Sequence, residues 1–289
     1  MNVIHQRART EQERRKFCGS KYIESDMTSV YKNIEDDLLA DCTVLFTGTP
    51  CQVFAVNHYC KRKGLPLDNL YLVDIICHGV PNISIWKSYK KWLEEKEKSK
   101  LVDFQFRYKG SRWKQYPVRA VFENGKVLVN THRSRLYTTL FFTALPLREA
   151  CYHCKFASLE RPSDLSIGDF WGIENVMPNF PKDGGVSEIL VNTEKGEALI
   201  QSLKESLRGE FYIEECHSKK FIEYQHNLNK PTEKPQQIEQ FRKDFQTYSF
   251  DKILKLYAGN NIRGKILHCT KKLCGELGIT PILKQLLKN

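Results

Sequence analysis

The stretch "VLFTGTPCQ", Val44 to Gln52, decides how the chain is read. Val, Leu and Phe in succession form the apolar run of a buried strand. Gly-Thr-Pro ends that run, and "QVFAVNHYCKRKG" (52–64) continues as a helix with a basic end and a closing glycine. A second apolar run, "NLYLVDII" (69–76), follows, and then a long amphipathic segment, "PNISIWKSYKKWLEEKEKSK" (81–100). Strand, helix, strand, helix in this order predicts βαβ units and a parallel sheet.

The pattern changes downstream. "VDFQFRYK" (102–109), "VRAVFEN" (118–124) and "KVLVNTH" (126–132) are short, partly alternating runs, and Asn124-Gly125 between the last two is a hairpin signal. "SRLYTTLFFTALPL" (134–147) reads as helix up to Pro146, "SDLSIGDF" (163–170) and "SEILVNT" (187–193) as strands, and "EKGEALIQSLKESL" (194–207) as helix. Beyond Cys216 the pattern is mostly helical. The fold class expected is α/β, with a mixed, partly parallel sheet, flanking helices and a helical C-terminal extension. The expected division is 1–215 for the α/β domain and 216–289 for a basic extension.

The 289 residues allow a sizeable core in one or two domains, and 41% hydrophobic with 27% charged residues suits a globular protein. No apolar run is long enough to cross a membrane, and the polar start "MNVIHQRARTEQERRKF" lacks the apolar centre of a signal peptide. These features predict a cytoplasmic location. The net charge of +11 is concentrated at the end: from Lys252 onward there are eight Lys or Arg against one acid, Glu276. Such a tail suits a solvated helical face or peripheral contact with an acidic protein, an anionic cofactor or a membrane surface. No zinc-finger, helix-turn-helix or RNP-type pattern speaks for nucleic acid.

Ten cysteines (Cys18, Cys42, Cys51, Cys60, Cys77, Cys151, Cys154, Cys216, Cys269, Cys274) are many for a reducing compartment, where metal or redox use gains weight over disulfides. Most free cysteines are small core hydrophobes. Cys51 and Cys77 differ in that each follows a buried strand and precedes a helix, so neighbouring strands would place both on the C-terminal rim of the sheet, where ligands collect. Pro50 suits a first helical position and Thr49 a cap, and the helix start stabilises negative charge on the Cys51 sulfur. "CYHC" (151–154) adds two thiols at a spacing that lets both turn toward one centre. The four thiols suit a 4Fe–4S cluster or a Zn(Cys)₄ site, with packing or redox thiols as the remaining alternative. His78 and His153 read as polar neighbours of the sulfurs.

Taken in order, "GSKYIES" (19–25), "VLFTGTPCQV" (44–53), "LVDIICHGVP" (72–81), "FRYKGSRW" (106–113), "CYHCKFASLERPSDLSIGDFWGIE" (151–174) and "GGVSEILVNTEKG" (184–196) resemble the C-terminal region of the coenzyme F-420 hydrogenase/dehydrogenase beta subunit family. The resemblance implies an iron–sulfur flavoprotein that passes electrons between a redox partner and a two-electron carrier, a deazaflavin in some archaeal members. It implies Cys51, Cys77, Cys151 and Cys154 as ligands of a 4Fe–4S cluster. It also implies FAD beside Gly19, Ser20, Lys21, Tyr22, Ser25, Thr47, Gly48 and Thr49. Arg107, Lys109, Arg112 and Trp113 are candidates for an anionic ligand, and "GDFWG" (168–172) reads as a turn that packs Phe170 and Trp171 near the cluster. The family's ferredoxin-like cysteine run and Ser-Gly-Gly segment have no counterpart here. The chain therefore reads as N-terminally shortened, with a partner expected to supply ferredoxin-type clusters. The alternative is a non-catalytic cluster- or zinc-binding module acting as a scaffold or partner subunit; some relatives occur with polysaccharide biosynthesis genes.

Overall fold

The computed structural model describes residues 3–108, 117–182, 184–206, 212–262, 264 and 266–270. After a short helix α1 (Glu11–Arg15), the chain runs through α2 (Val30–Leu39), β1 (Val44–Gly48), α3 (Pro50–Arg62), β2 (Leu70–Ile75) and α4 (Ile83–Glu97). Next come β3 (Leu101–Gln105), β4 (Arg119–Phe122), β5 (Val127–Val129) and α5 (His132–Phe142). A 3-10 turn (Glu149–His153) precedes β6 (Leu165–Asp169), α6 (Ile173–Val176), β7 (Ser187–Val191) and α7 (Glu194–Ser206). The last elements are α8 (Phe221–Tyr224), a 3-10 turn (His226–Leu228), α9 (Ile238–Thr247) and α10 (Phe250–Tyr257).

The sheet that carries the site has the order β1-β2-β6-β7. β1, β2 and β6 are parallel, and β7 joins β6 antiparallel at the edge. The expected α/β architecture with a partly parallel sheet is therefore present. Val44, Phe46, Leu70 and Leu72 share one face, because β1 pairs with β2 in the register Val44↔Leu70 and Phe46↔Leu72. That face packs on Val30, Ile34 and Leu38 of α2 and on Val53, Val56 and Cys60 of α3. Cys60 is fully buried there, and burial pushes its thiol up to about 11, so it behaves as a small core hydrophobe. Helix α2 has no counterpart among the segments read from the sequence.

Between β2 and β6 lies an insertion with its own core. β3, β4 and β5 form an antiparallel sheet, and Gly125 (φ 79°) makes the β4–β5 turn that Asn124-Gly125 predicts. Trp86 and Tyr89 of α4 pack against Phe104, Phe106 and Tyr137, with Trp86 edge-on to both Phe104 and Tyr137. Ile238 and Phe241 of α9 and Ile253 and Leu254 of α10 join this same core, and Trp92 Nε1 donates to Asp251 at 3.0 Å. Helix α5 stops at Phe142, short of Pro146, and Ala144 takes a left-handed turn (φ 61°). No helix among the described residues is long and apolar enough to cross a membrane.

One buried acid has a consequence for pH. Glu188 of β7 is 7% exposed and accepts from Gln225, and burial pushes its carboxyl up to about 7. A carboxyl raised on folding stabilises the fold fully below its unfolded value of about 4.5, and that contribution is lost as pH rises toward 7. Glu188→Gln keeps the shape and stays neutral. Its stability in urea should match the native chain at pH 4 and exceed it at pH 8 by on the order of 2 kcal/mol. Equal stabilities at both pH values would remove Glu188 as the source.

Candidate functional site

The β1–β2 register places the first two cysteines. Gly48 pairs with Asp74, and Cys51 and Cys77 each lie three positions beyond that pair, at the C-terminal ends of neighbouring parallel strands. Pro50 opens α3 and the Gln52 side chain accepts from Thr49 N–H at 3.0 Å, so Cys51 sits in the first helical turn. The Thr49 hydroxyl lies 3.2 Å from Cys51 Sγ, and Cys51 is exposed. Cys77 lies in the loop after β2 and is half-buried.

"CYHC" folds as the 3-10 turn rather than an open loop, with Cys154 just after it. A seam of backbone hydrogen bonds holds it on the Cys77 loop. Arg148 N–H donates to Val80 O (3.0 Å), Asn82 N–H donates to Pro146 O (2.9 Å), and Pro81 and Leu147 form an antiparallel bridge. Gly79 makes the approach close. Its φ is +136°, and a Cβ there would stand 2.7 Å from Leu147 Cδ1 and 3.4 Å from Cys151 Cβ. Val80 N–H then donates to Cys151 Sγ at 3.3 Å.

The four cysteines meet electrostatically at Cys77. Burial raises its thiol to about 12, the charges of Cys51, Cys151 and Cys154 push in the same direction, and a hydrogen bond from Gly79 N–H opposes them. Among the described residues no three His, Cys, Asp or Glu side chains are gathered as donors to a single ion. The donor set is four sulfurs from three chain segments, with backbone N–H groups aimed at two of them. That composition fits an iron–sulfur cluster.

Two arginines that the sequence reading passed over organise this region. Arg148 pairs with Glu24 and feels the charges of Cys151 and Cys51. Arg161 is buried. Its Nη2 meets Asp74 Oδ1 at 2.5 Å, Nη1 donates to Phe156 O at 2.6 Å, and Nε donates to Ser166 Oγ at 3.0 Å. Ser163 Oγ donates to the other Asp74 oxygen at 2.8 Å. Arg161 thus ties the segment after Cys154 to the strand that leads to Cys77. The signal in the sequence was an acid in an otherwise apolar strand, Asp74, which needs a buried partner.

The eight residues expected around a flavin are not collected in one place. Gly19, Ser20 and Lys21 line a cavity of about 520 Å³ with Asp103, Gln105 and Arg107. Lys21 Nζ donates to the carbonyls of Phe17 and Gly19, both at 3.0 Å, and burial lowers its pKa. Ser25 and Thr49 line a separate cavity of about 300 Å³ with Cys51, Gln52 and Arg148. Tyr22 lines neither; its ring stacks on Phe141 at 4.7 Å, and its carbonyl accepts from Tyr137 Oη. Thr47 is exposed with its carbonyl 3.0 Å from the His5 ring, and Gly48 packs close to Phe46 and Gln52.

Arg107 pairs with Asp169 at 2.6 Å, while Lys109, Arg112 and Trp113 lie outside the described residues, as does the tail beyond 270. Phe170 is buried and Trp171 is more than a third exposed. His153 is exposed, 3.5 Å from Glu149. The His78 carbonyl accepts from Thr232, which draws the C-terminal segment onto the Cys77 loop. Glu149 bonds Lys234 (2.7 Å) and Arg242 (2.5 Å), fastening that segment and α9 to the CxxC turn; these two partners hold its carboxyl down to about 2.

A sequence family described as the C terminus of the coenzyme F420 hydrogenase/dehydrogenase beta subunit matches residues 41–217, more than half of the chain. No curated protein matches the sequence.

Proposed function

Given that the chain belongs to the family defined by the C terminus of the coenzyme F420 hydrogenase/dehydrogenase beta subunit, we propose that it is an iron–sulfur electron-transfer subunit whose Cys51, Cys77, Cys151 and Cys154 hold one 4Fe–4S cluster. The coarse role, an oxidoreductase subunit working with a redox partner, follows from the family. The finer reading is carried by one observation: Cys51 and Cys77 end neighbouring parallel strands at the same offset, and Cys151 is held against the Cys77 loop by Val80 N–H at 3.3 Å.

When bound, such a cluster accepts and releases one electron at a time. The chain's own residues set its surroundings. Gly79 and Val80 direct N–H groups at the sulfurs of Cys77 and Cys151, and Arg148 places a guanidinium on Cys151, which favours added negative charge at that site. Arg161 and the seam at residues 79–82 and 146–148 hold the thiols at fixed separations. FAD enters this proposal only through the family: Ser20 and Lys21 line one cavity and Ser25 and Thr49 another, so the residues expected around a flavin do not form one site for it.

Anaerobic purification with an absorption spectrum and metal analysis tests the reading. The expected result is about four irons per chain with broad iron–sulfur absorption. Flavin bands as well would support the complete oxidoreductase, and iron without flavin a cluster-only electron-transfer module. A colourless protein, or one holding zinc, would overturn the cluster.

A further inference from the structure

We infer that the outer face of α3 is the docking surface for an acidic one-electron carrier protein. The inference rests on the cluster proposed above, because it assigns the route by which electrons reach those cysteines.

The face begins at the site itself. Cys51 is exposed in the first turn of α3, and along the same side of the helix come Phe54, His58, Lys61 and Arg62, all exposed. Helical spacing of three and four puts them on one stripe. Phe54 is 50% exposed, although it lies flat against His58 and 5.3 Å from Phe156, two residues beyond Cys154. A large apolar ring left in water beside two proposed cluster ligands serves no purpose in the core of this chain, since α3 buries its opposite side with Val53, Val56 and Cys60. The ring instead supplies the desolvated centre that a short electron-transfer contact needs.

Charge selects the occupant. From Cys42 to Leu67 the sequence contains no Asp or Glu, Lys61 and Arg62 end the helix, Lys63 after them pairs with Glu35 of α2 at 3.7 Å, and Lys155 stands exposed next to Phe156. A cationic rim around a small apolar centre steers an acidic protein to it and repels a second copy of the same face. Interfaces of this kind are small and transient, as carrier turnover requires. On each docking the carrier's reduced centre would lose one electron and the cysteine-held centre would gain it, with no proton moved.

The test is a binding titration of the anaerobically purified full chain with an acidic plant-type [2Fe–2S] ferredoxin at low and high salt. It is run alongside an equally acidic protein without a redox centre, and bound iron is measured in every variant. Affinity for the ferredoxin should fall about tenfold or more from low to high salt. Lys61→Glu with Arg62→Glu should weaken it about tenfold at low salt, and Phe54→Ala about fivefold at either salt, with bound iron unchanged. Unchanged affinity in both variants would overturn the surface, as would equally tight binding of the redox-free acidic protein. So would a chain dimer that Phe54→Ala dissociates. If the native chain holds no iron, the cluster reading fails separately, and variant-sensitive binding still upholds the surface.

Discussion

Arg161→Leu should lower the stability of the fold by about 3–5 kcal/mol, measured by urea unfolding. The guanidinium and the Asp74 carboxylate are 1% and 0% exposed. Removing one partner leaves the other charged and dry, and its desolvation is no longer offset. Arg161 also closes four further hydrogen bonds, to Phe156 O, Ser158 O, Ser166 Oγ and Ile75 O, so their acceptors lose a donor as well. A second substitution that removes the stranded carboxylate, Asp74→Asn, should recover part of the loss, because what is costly is the unpaired charge rather than the missing bridge. A loss under about 1 kcal/mol in Arg161→Leu would mean that water reaches Asp74.

Cys77→Ser should abolish bound iron. Cys77 follows β2 at the same offset at which Cys51 follows β1, and its loop packs on Cys151 through Gly79 and Val80, so it lies between the other two segments. Serine keeps the size but offers a hydroxyl that does not replace a thiolate toward iron. Cys151→Ser should give the same result, since its sulfur accepts from Val80 N–H beside the Cys77 loop. Cys42→Ser is the matched control: Cys42 is exposed just beyond α2 and its thiol donates to Ala40 O, so iron per chain should stay at the native level. Iron that survives in either Cys77→Ser or Cys151→Ser would remove that cysteine from the ligand set.

The α/β frame was legible because its signals are local. Val44–Phe46 and Leu70–Val73 are apolar runs, Pro50 marks a helix start, and Asn124-Gly125 makes its turn within one hairpin. The pairing of Cys51 with Cys77 was legible for the same reason, since each sits at a fixed offset from a strand end. What the sequence hid depends on contacts between distant segments. Arg148 reaches Glu24, Arg161 reaches Asp74 and Thr232 reaches His78, and no periodicity announces such pairs. Helix α2 was missed because "VYKNIEDDLL" interleaves its three buried residues, Val30, Ile34 and Leu38, with charge. The eight flavin candidates came from motif order alone, and motif order does not say whether Lys21 and Ser25 share a cavity; they line different ones.

The seam at residues 79–82 and 146–148 sets a timetable for the growing chain. Cys51 and Cys77 emerge from the ribosome together and reach their rim through the neighbouring β1–β2 pair. Cys151 must return from 71 residues beyond Val80, across the entire aromatic insertion. Closing so long a loop is costly until the insertion has condensed and shortened the path. The insertion is therefore a clasp: Tyr152 is part of its core and Cys151 packs against it, so the turn that carries the late thiols is seated by that core.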